Sequence, residues 1–215
     1  YGCGTGAFLN ECQQRHMTIA GVEPNAGARQ QAEALTGVTI HGDIADITGN
    51  FDAITLWHVL EHVSDLNETI DKLKFRLMEN GTMFIAVPNH QSLDAQKYGE
   101  HWAAYDVPRH LWHFDKQSMT QLLSKHRMKI VTILPMVLDA YYVGLLSEKY
   151  QSGEQGLLRM GRAALRAAPG DYQVENHLIN PERRWTGNGK FPRRRLYELL
   201  DGPDRANQRL RDVAQ

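Results

Sequence analysis

The sequence predicts an α/β fold, a mostly parallel sheet with helices on both faces. Three observations predict it. Short apolar runs alternate with stretches of helical period through residues 1–150. Two of those runs, residues 51–57 (FDAITLW) and 82–87 (TMFIAV), are apolar on both faces, as strands buried in a parallel sheet must be. A glycine-rich turn opens the chain, and sheets of this kind bind ligands over such turns.

Each element has a local cause. Residues 18–22 (TIAGV) form a short apolar run with strand character. Asn25 caps a helix that runs to about Leu35, and Gly37 ends it. Residues 38–40 make a second short strand and residues 51–57 a third. Ser64 opens a helix whose apolar positions are Leu66, Ile70, Leu73 and Leu77, all on one face, with Asn80-Gly81 as its stop. Residues 82–87 follow as a buried strand closed by Pro88. Residues 116–126 read as a helix and residues 128–134 as a strand.

Bulk composition excludes several classes. The formal net charge of -1 gives no whole-protein field for nucleic acid or an anionic membrane. No stretch approaches the ~18 apolar residues of a membrane span, since the longest run, residues 133–146, is broken by Asp139. Two cysteines, Cys3 and Cys12, make no disulfide framework and fit a reducing, cytoplasmic location. From Arg159 onward there are 12 basic and 7 acidic residues, against 12 and 18 before it. That reversal, with its glycine and proline punctuation, sets residues 151–215 apart as an arginine-rich, loosely ordered appendage to a domain spanning 1–150.

Residues 1–6 read YGCGTG. Glycines at 2, 4 and 6 let backbone pass close beneath a ligand, and the helix that follows offers free N–H groups. The spacing is Gly-x-Gly-x-Gly, unlike the Gly-x-Gly-x-x-Gly of dinucleotide loops, so the ligand need not carry a pyrophosphate. Glu23 ends the next strand in GVEPN, where a carboxylate suits two ribose hydroxyls, or else serves a helix start. Asp43 follows the next strand in HGDIAD, placed to accept from an exocyclic amino group or to make a turn.

YGCGTG, GVEPN, GDI and FDAITLWHVLEHV together resemble the successive motifs of class I S-adenosylmethionine-dependent methyltransferases. The likeness is greatest to the group that includes the ubiquinone-biosynthesis O-methyltransferases, and it covers about residues 1–150. The resemblance implies a Rossmann-like sheet and S-adenosylmethionine as cofactor. It implies that Gly2, Gly4 and Gly6 line the methionine part, that Glu23 holds the ribose, that Asp43 with Ile44 holds the adenine, and that Trp57 sits beside the cofactor. That family launches its glycine loop from a strand ending in an acid. Tyr1 opens this sequence inside the loop, so the first strand is expected to be missing and the chain N-terminally truncated. The family also ends its sheet with an antiparallel strand, for which residues 172–179 are a poor candidate.

Two histidine-rich segments remain. His58-Val59-Leu60-Glu61-His62 matches the inverted zinc-protease pattern, but it begins where a buried strand ends, whereas a zinc pair needs both ligands inside a helix. The stretch AAYDVPRHLWHF follows the 82–87 strand and suits a loop over an acceptor, with Trp112 and Phe114 as core plugs in the blander reading. No acid or cysteine near His110 and His113 completes a ligand set in the sequence, so no metal site is expected.

The expected reaction is methyl transfer to a small-molecule acceptor, oxygen or carbon rather than nitrogen, since no Asp/Asn-Pro-Pro-aromatic motif follows residue 57. His110 is the expected proton acceptor, facing solvent or substrate, with His58 or His62 as second choice. His62, beside Glu61, is expected to be buried and neutral. The alternatives are a cofactor-binding module without turnover and, from the H-x-x-E-H segment, a zinc hydrolase.

Overall fold

The computed structural model describes residues 1–152 and 174–181. Six helices and six strands alternate along them, in two sheets. The glycine loop runs into α1 (Ala7–Gln14), then β1 (Gly21–Val22), α2 (Ala26–Thr36) and β2 (Ile40–His41). β3 (Phe51–Trp57), α3 (Leu66–Phe75) and β4 (Leu77–Pro88) follow. α4 (Leu93–Tyr98), α5 (Lys116–Lys125), β5 (Met128–Pro135), α6 (Val137–Ser152) and β6 (Val174–Pro181) complete the order.

The expected signals set most boundaries. The Asn25 side chain accepts from the Ala28 amide at the start of α2, and Gly37 ends that helix at φ 70°. Asp115 and Ser118 cap α5 reciprocally, each side chain bonding the other's backbone amide. Two expectations fail at α3. Asp65, not Ser64, accepts from the Glu68 amide and caps it. The helix ends at Phe75, and Leu77 begins β4. Leu77 is buried, as its helical spacing demanded, but from a strand. The expected strand at 18–22 shrinks to Gly21–Val22, because only Ile40–His41 lies alongside to pair with it.

β1 and β2 form one parallel pair. The other sheet has the order β3-β4-β6-β5. β3 and β4 are parallel, with Ile54 beside Met83 and Leu56 beside Ile85. β6 lies antiparallel to both its neighbours, β4 and β5. The sheet therefore reaches beyond residue 150, where the sequence placed a domain boundary, and it recruits the segment rated a poor strand candidate. Residues 151–152 belong to α6, and, β6 aside, the rest of the appendage lies outside the residues described, as does the proposal that it is loosely ordered. β1 and β3 are not paired. Residues 1–3 lie between them: the Tyr1 nitrogen donates to Thr55 O at 2.9 Å, and the Gly2 and Cys3 amides donate to Val22 O at 2.8 and 3.0 Å.

The core sits on one face of β3 and β4. Ile54, Leu56, Met83, Ile85 and Val87 meet Leu66, Ile70 and Leu73 of α3 and Met119 and Leu123 of α5. Phe84 and Ala86 alternate to the other face of β4 and are buried too, so that strand is covered on both sides. This packing fixes the ends of β3 and β4, from which the site is built.

Candidate functional site

The glycine loop and β1 are locked together. Glu23 follows β1, and its carboxylate accepts from two backbone amides: Gly4 N on Oε2 and Asn25 N on Oε1, both at 2.9 Å. Each oxygen keeps a further lone pair. All three loop glycines have left-handed φ, at 68°, 54° and 85°. Their surroundings differ. A Cβ on Gly2 would strike Val59 at 2.5 Å, and one on Gly6 would strike Ala32 Cα and Cβ at 2.9 Å. A Cβ on Gly4 would meet nothing within 4 Å. Gly2 and Gly6 thus allow close packing against the residues after β3 and against α2, while Gly4 borders open space. Gly6 caps α1 without a side-chain bond, leaving that helix's first N–H groups without a capping side chain.

The other expected cofactor residues gather nearby. The Glu23 amide donates to His41 O, drawing the ends of β1 and β2 together. Asp43, just beyond, accepts from the Ala45 amide at 2.8 Å and starts a single turn of tight helix in which Ile44 is buried. Asp43 also faces the Tyr1 phenol: burial first, and then the Asp43 charge, pushes that phenol above its ordinary range. Trp57, at the end of β3, meets Phe8 of α1 edge-on, with ring centroids 5.4 Å apart. Its indole N–H is buried and makes no hydrogen bond. Nothing in the sequence pattern singled out Phe8 or Tyr1; their part follows from where β3 ends.

The histidines divide into two settings. His58 leaves β3 with φ 53° and places Nε2 2.9 Å from Asp139 of α6. Its Nδ1 lies 3.4 Å from Glu61 Oε1. Burial alone would lower its pKa, but the hydrogen bond to Asp139, the contact with Glu61 and both charges outweigh that and raise it to about 9. His58 is therefore a cation at neutral pH, unsuited to accept a proton. Asp139 lay 81 residues away in the sequence and was not foreseen.

His62 and His110 form the second setting, with ring centroids 4.6 Å apart. His62 is exposed, contrary to expectation, because it ends a single helical turn (Leu60–His62) instead of turning into the core. Its Nδ1 bonds Arg109 O at 3.0 Å. His110 is more enclosed than expected, its side chain 10% exposed, and its Nδ1 bonds Ala104 O at 2.8 Å. Burial holds its pKa below the ordinary value, against the opposing pull of the Ala104 bond. Glu61 is fully buried, and its carboxylate oxygens make no hydrogen bond. The 3.4 Å approach of His58 is an ion-pair distance without hydrogen-bond geometry.

The inverted zinc-protease pattern is not formed. His58 turns to Asp139 and His62 to Arg109, and the two share no helix. In the neighbouring loop, Phe114 is buried as a core plug, whereas Trp112 is exposed and donates its indole N–H to Val63 O at 2.7 Å. Arg109 is held by Asp106, with Nη2 2.6 Å from Oδ1.

A glycine loop, an acid after β1 and a second acid after β2 thus gather at one end of the parallel β1–β2 pair. The family described as a methyltransferase domain matches residues 1–132, more than half of the chain. The chain belongs to that family. Solved structures share the fold. The plantazolicin methyltransferase BpumL, in complex with a pentazolic desmethylPZN analog and SAH, is 19% identical, with a TM-score of 0.56 over 85% of this chain and 75% of that one. A SAM-dependent methyltransferase from Archaeoglobus fulgidus is 16% identical, with a TM-score of 0.55 over 83% and 82%. The mycolic acid cyclopropane synthase CmaA1, with SAH and CTAB, is 11% identical, with a TM-score of 0.57 over 83% and 75%. No curated protein matches the chain. Among the described residues no helix is long and apolar enough to cross a membrane.

Proposed function

We propose that the chain transfers the methyl group of S-adenosylmethionine to the oxygen of a small-molecule acceptor that enters beside Glu61, His62 and His110. The observation that carries this reading is the Gly4–Glu23 bond, which joins the loop and the acid at one edge of open space. The residues fit the cofactor. Gly4 leaves room where any side chain would intrude, α1 presents uncapped N–H groups, and Glu23 keeps lone pairs for two hydroxyls. Asp43 with Ile44 takes the adenine edge, and Trp57 lies beside the cofactor.

The bound cofactor supplies an already activated sulfonium methyl group. The chain's residues must hold the acceptor in line, at about 3 Å, and let its proton leave. His58 is already protonated, so it steadies Glu61 and α6 instead of acting as a base. His110 is held through Nδ1 by Ala104 O and has Nε2 3.7 Å from Asp106 Oδ2, which keeps the ring beside the acceptor. The narrower likeness of LEHV to the ubiquinone-biosynthesis O-methyltransferases supports a hydroxyl acceptor over a carbon one. The exposed apolar side chains of Val107 and Leu111 near His110 favour an acceptor with an apolar body.

The test is calorimetric titration with S-adenosylhomocysteine, followed by transfer of labelled methyl to a panel of phenols, carboxylates, amines and activated carbons. Saturable binding with label on hydroxyl acceptors is expected. Label on amines alone would refute the acceptor class. Binding without label on any acceptor would favour a cofactor-binding module.

A further inference from the structure

Metal-binding histidines have a recognisable outer shell. One ring nitrogen donates its proton to a carbonyl or carboxylate, which fixes the other nitrogen as a lone-pair donor. His62 and His110 both have that arrangement. The Nδ1 atoms of each face a backbone carbonyl, Arg109 O at 3.0 Å and Ala104 O at 2.8 Å. A carbonyl oxygen only accepts, so in each neutral ring the proton sits on Nδ1 and Nε2 carries the lone pair, with Asp106 Oδ2 3.7 Å from that of His110.

The third group is Glu61. It has no exposed surface, and neither carboxylate oxygen has a hydrogen-bond partner. A buried carboxylate without hydrogen bonds is costly, and its presence calls for a positive partner. The nearby His58 supplies charge to Oε1 at 3.4 Å but leaves the lone pairs unengaged. One ligand atom from each of Glu61, His62 and His110 lies within 4.8 Å of the others, a spread that a single ion would draw together.

We propose that Glu61, His62 and His110 bind one divalent transition-metal ion and leave a coordination position open beside the glycine loop. Two imidazoles and one carboxylate suit ions of the zinc, cobalt or nickel kind; magnesium and calcium prefer all-oxygen sets. The placement follows from Val59, which touches Gly2 and lies two residues before Glu61. The role rests on the reading that the acceptor enters beside His110. An acceptor hydroxyl at the open position becomes more acidic and loses its proton to water. Its oxygen lone pair then forms the new bond to the methyl carbon. The carbon–sulfur bond breaks with its electron pair staying on sulfur, which turns the sulfonium into a thioether. The ion changes no oxidation state.

The experiment uses the full chain, stripped of metal with a chelator and dialysed against Co²⁺, read by bound stoichiometry and by the visible spectrum. Zn²⁺ then serves as competitor. One equivalent of Co²⁺ per chain is expected, displaced by Zn²⁺. Glu61→Gln and His62→Ala should each weaken it by at least about tenfold, since even outer-shell changes cost that much. His101→Ala, outside the cluster, should bind like the parent. His62 is exposed, so its variant tests the site without disturbing the core. Absence of saturable Co²⁺ binding, or binding unchanged in both variants, overturns the proposal. S-adenosylhomocysteine titrated into the same samples reports on the methyltransferase reading separately: binding of that product with no metal sinks only the metal site.

Discussion

Gly4 and Gly6 share a loop and a left-handed backbone, yet the structure assigns them different reasons for being glycine. At Gly6, φ is 85°, and an added Cβ would sit 2.9 Å from both Cα and Cβ of Ala32. Those atoms belong to the body of α2 and cannot swing aside as the end of a long side chain would. Left-handed strain costs about 1–2 kcal/mol, and overpacking adds about 1–3 kcal/mol. Gly6→Ala should therefore lose about 2–5 kcal/mol of stability, a fall of roughly 1–2 M in urea midpoint. At Gly4, φ is 54° and nothing lies within 4 Å, so only the strain applies. Gly4→Ala should lose about 1–2 kcal/mol of stability. Its methyl group instead projects into the space assigned to the cofactor, so binding of S-adenosylhomocysteine should fall by about tenfold or more, ~1.4 kcal/mol or above. Urea unfolding and calorimetric titration of the two variants measure both quantities. The reasoning is refuted if Gly4→Ala is as destabilised as Gly6→Ala, or if it binds S-adenosylhomocysteine like the parent.

Three further outcomes are expected. Glu23→Ala should weaken cofactor binding by roughly 1–3 kcal/mol through lost charge-assisted hydrogen bonds. Unchanged affinity in the titration would remove its ribose role. His110→Ala should lower turnover by about 100-fold or more with cofactor affinity nearly constant; His62→Ala, being exposed, should leave the thermal midpoint almost unmoved. Full turnover in His110→Ala would end its assignment to the acceptor. A chain ending at Ser152 should unfold at lower denaturant than the full chain or aggregate, because removing β6 leaves β4 and β5 without the strand between them. Equal stability of the two lengths would show that β6 contributes nothing to the sheet.

Local chemistry made much of the fold legible. Asn25 and Gly37 act through a hydrogen bond and a φ angle within a few residues, so their spacing announced α2. The strand 51–57 was legible from its mostly apolar run, although only Ile54 and Leu56, on one face, are buried, and not both faces as expected. Leu77 shows the limit of such reasoning. Its spacing from Leu73 fits a helix face, yet it pairs with Phe51 of β3, and Asn80-Gly81 fall where the register shifts before resuming at Thr82. Pairing, a non-local interaction, claimed Leu77 before the local stop signal was reached.

By itself the sequence determined the α/β class, the glycine loop and the acid after each of the first two strands, since local residue types mark them and strand ends set their order. Only the tertiary structure decided the charge and direction of the histidines. His58 is a cation because Asp139, 81 positions away, approaches it to 2.9 Å. His62 and His110, 48 residues apart, come together because the loop that carries His110 offers a carbonyl to each ring, Arg109 O to His62 and Ala104 O to His110. Glu61 is buried between them because the helical turn after β3 points its side chain inward. Proton affinity and ligand geometry depend on distances of a few ångströms across space, and no spacing along the chain encodes them.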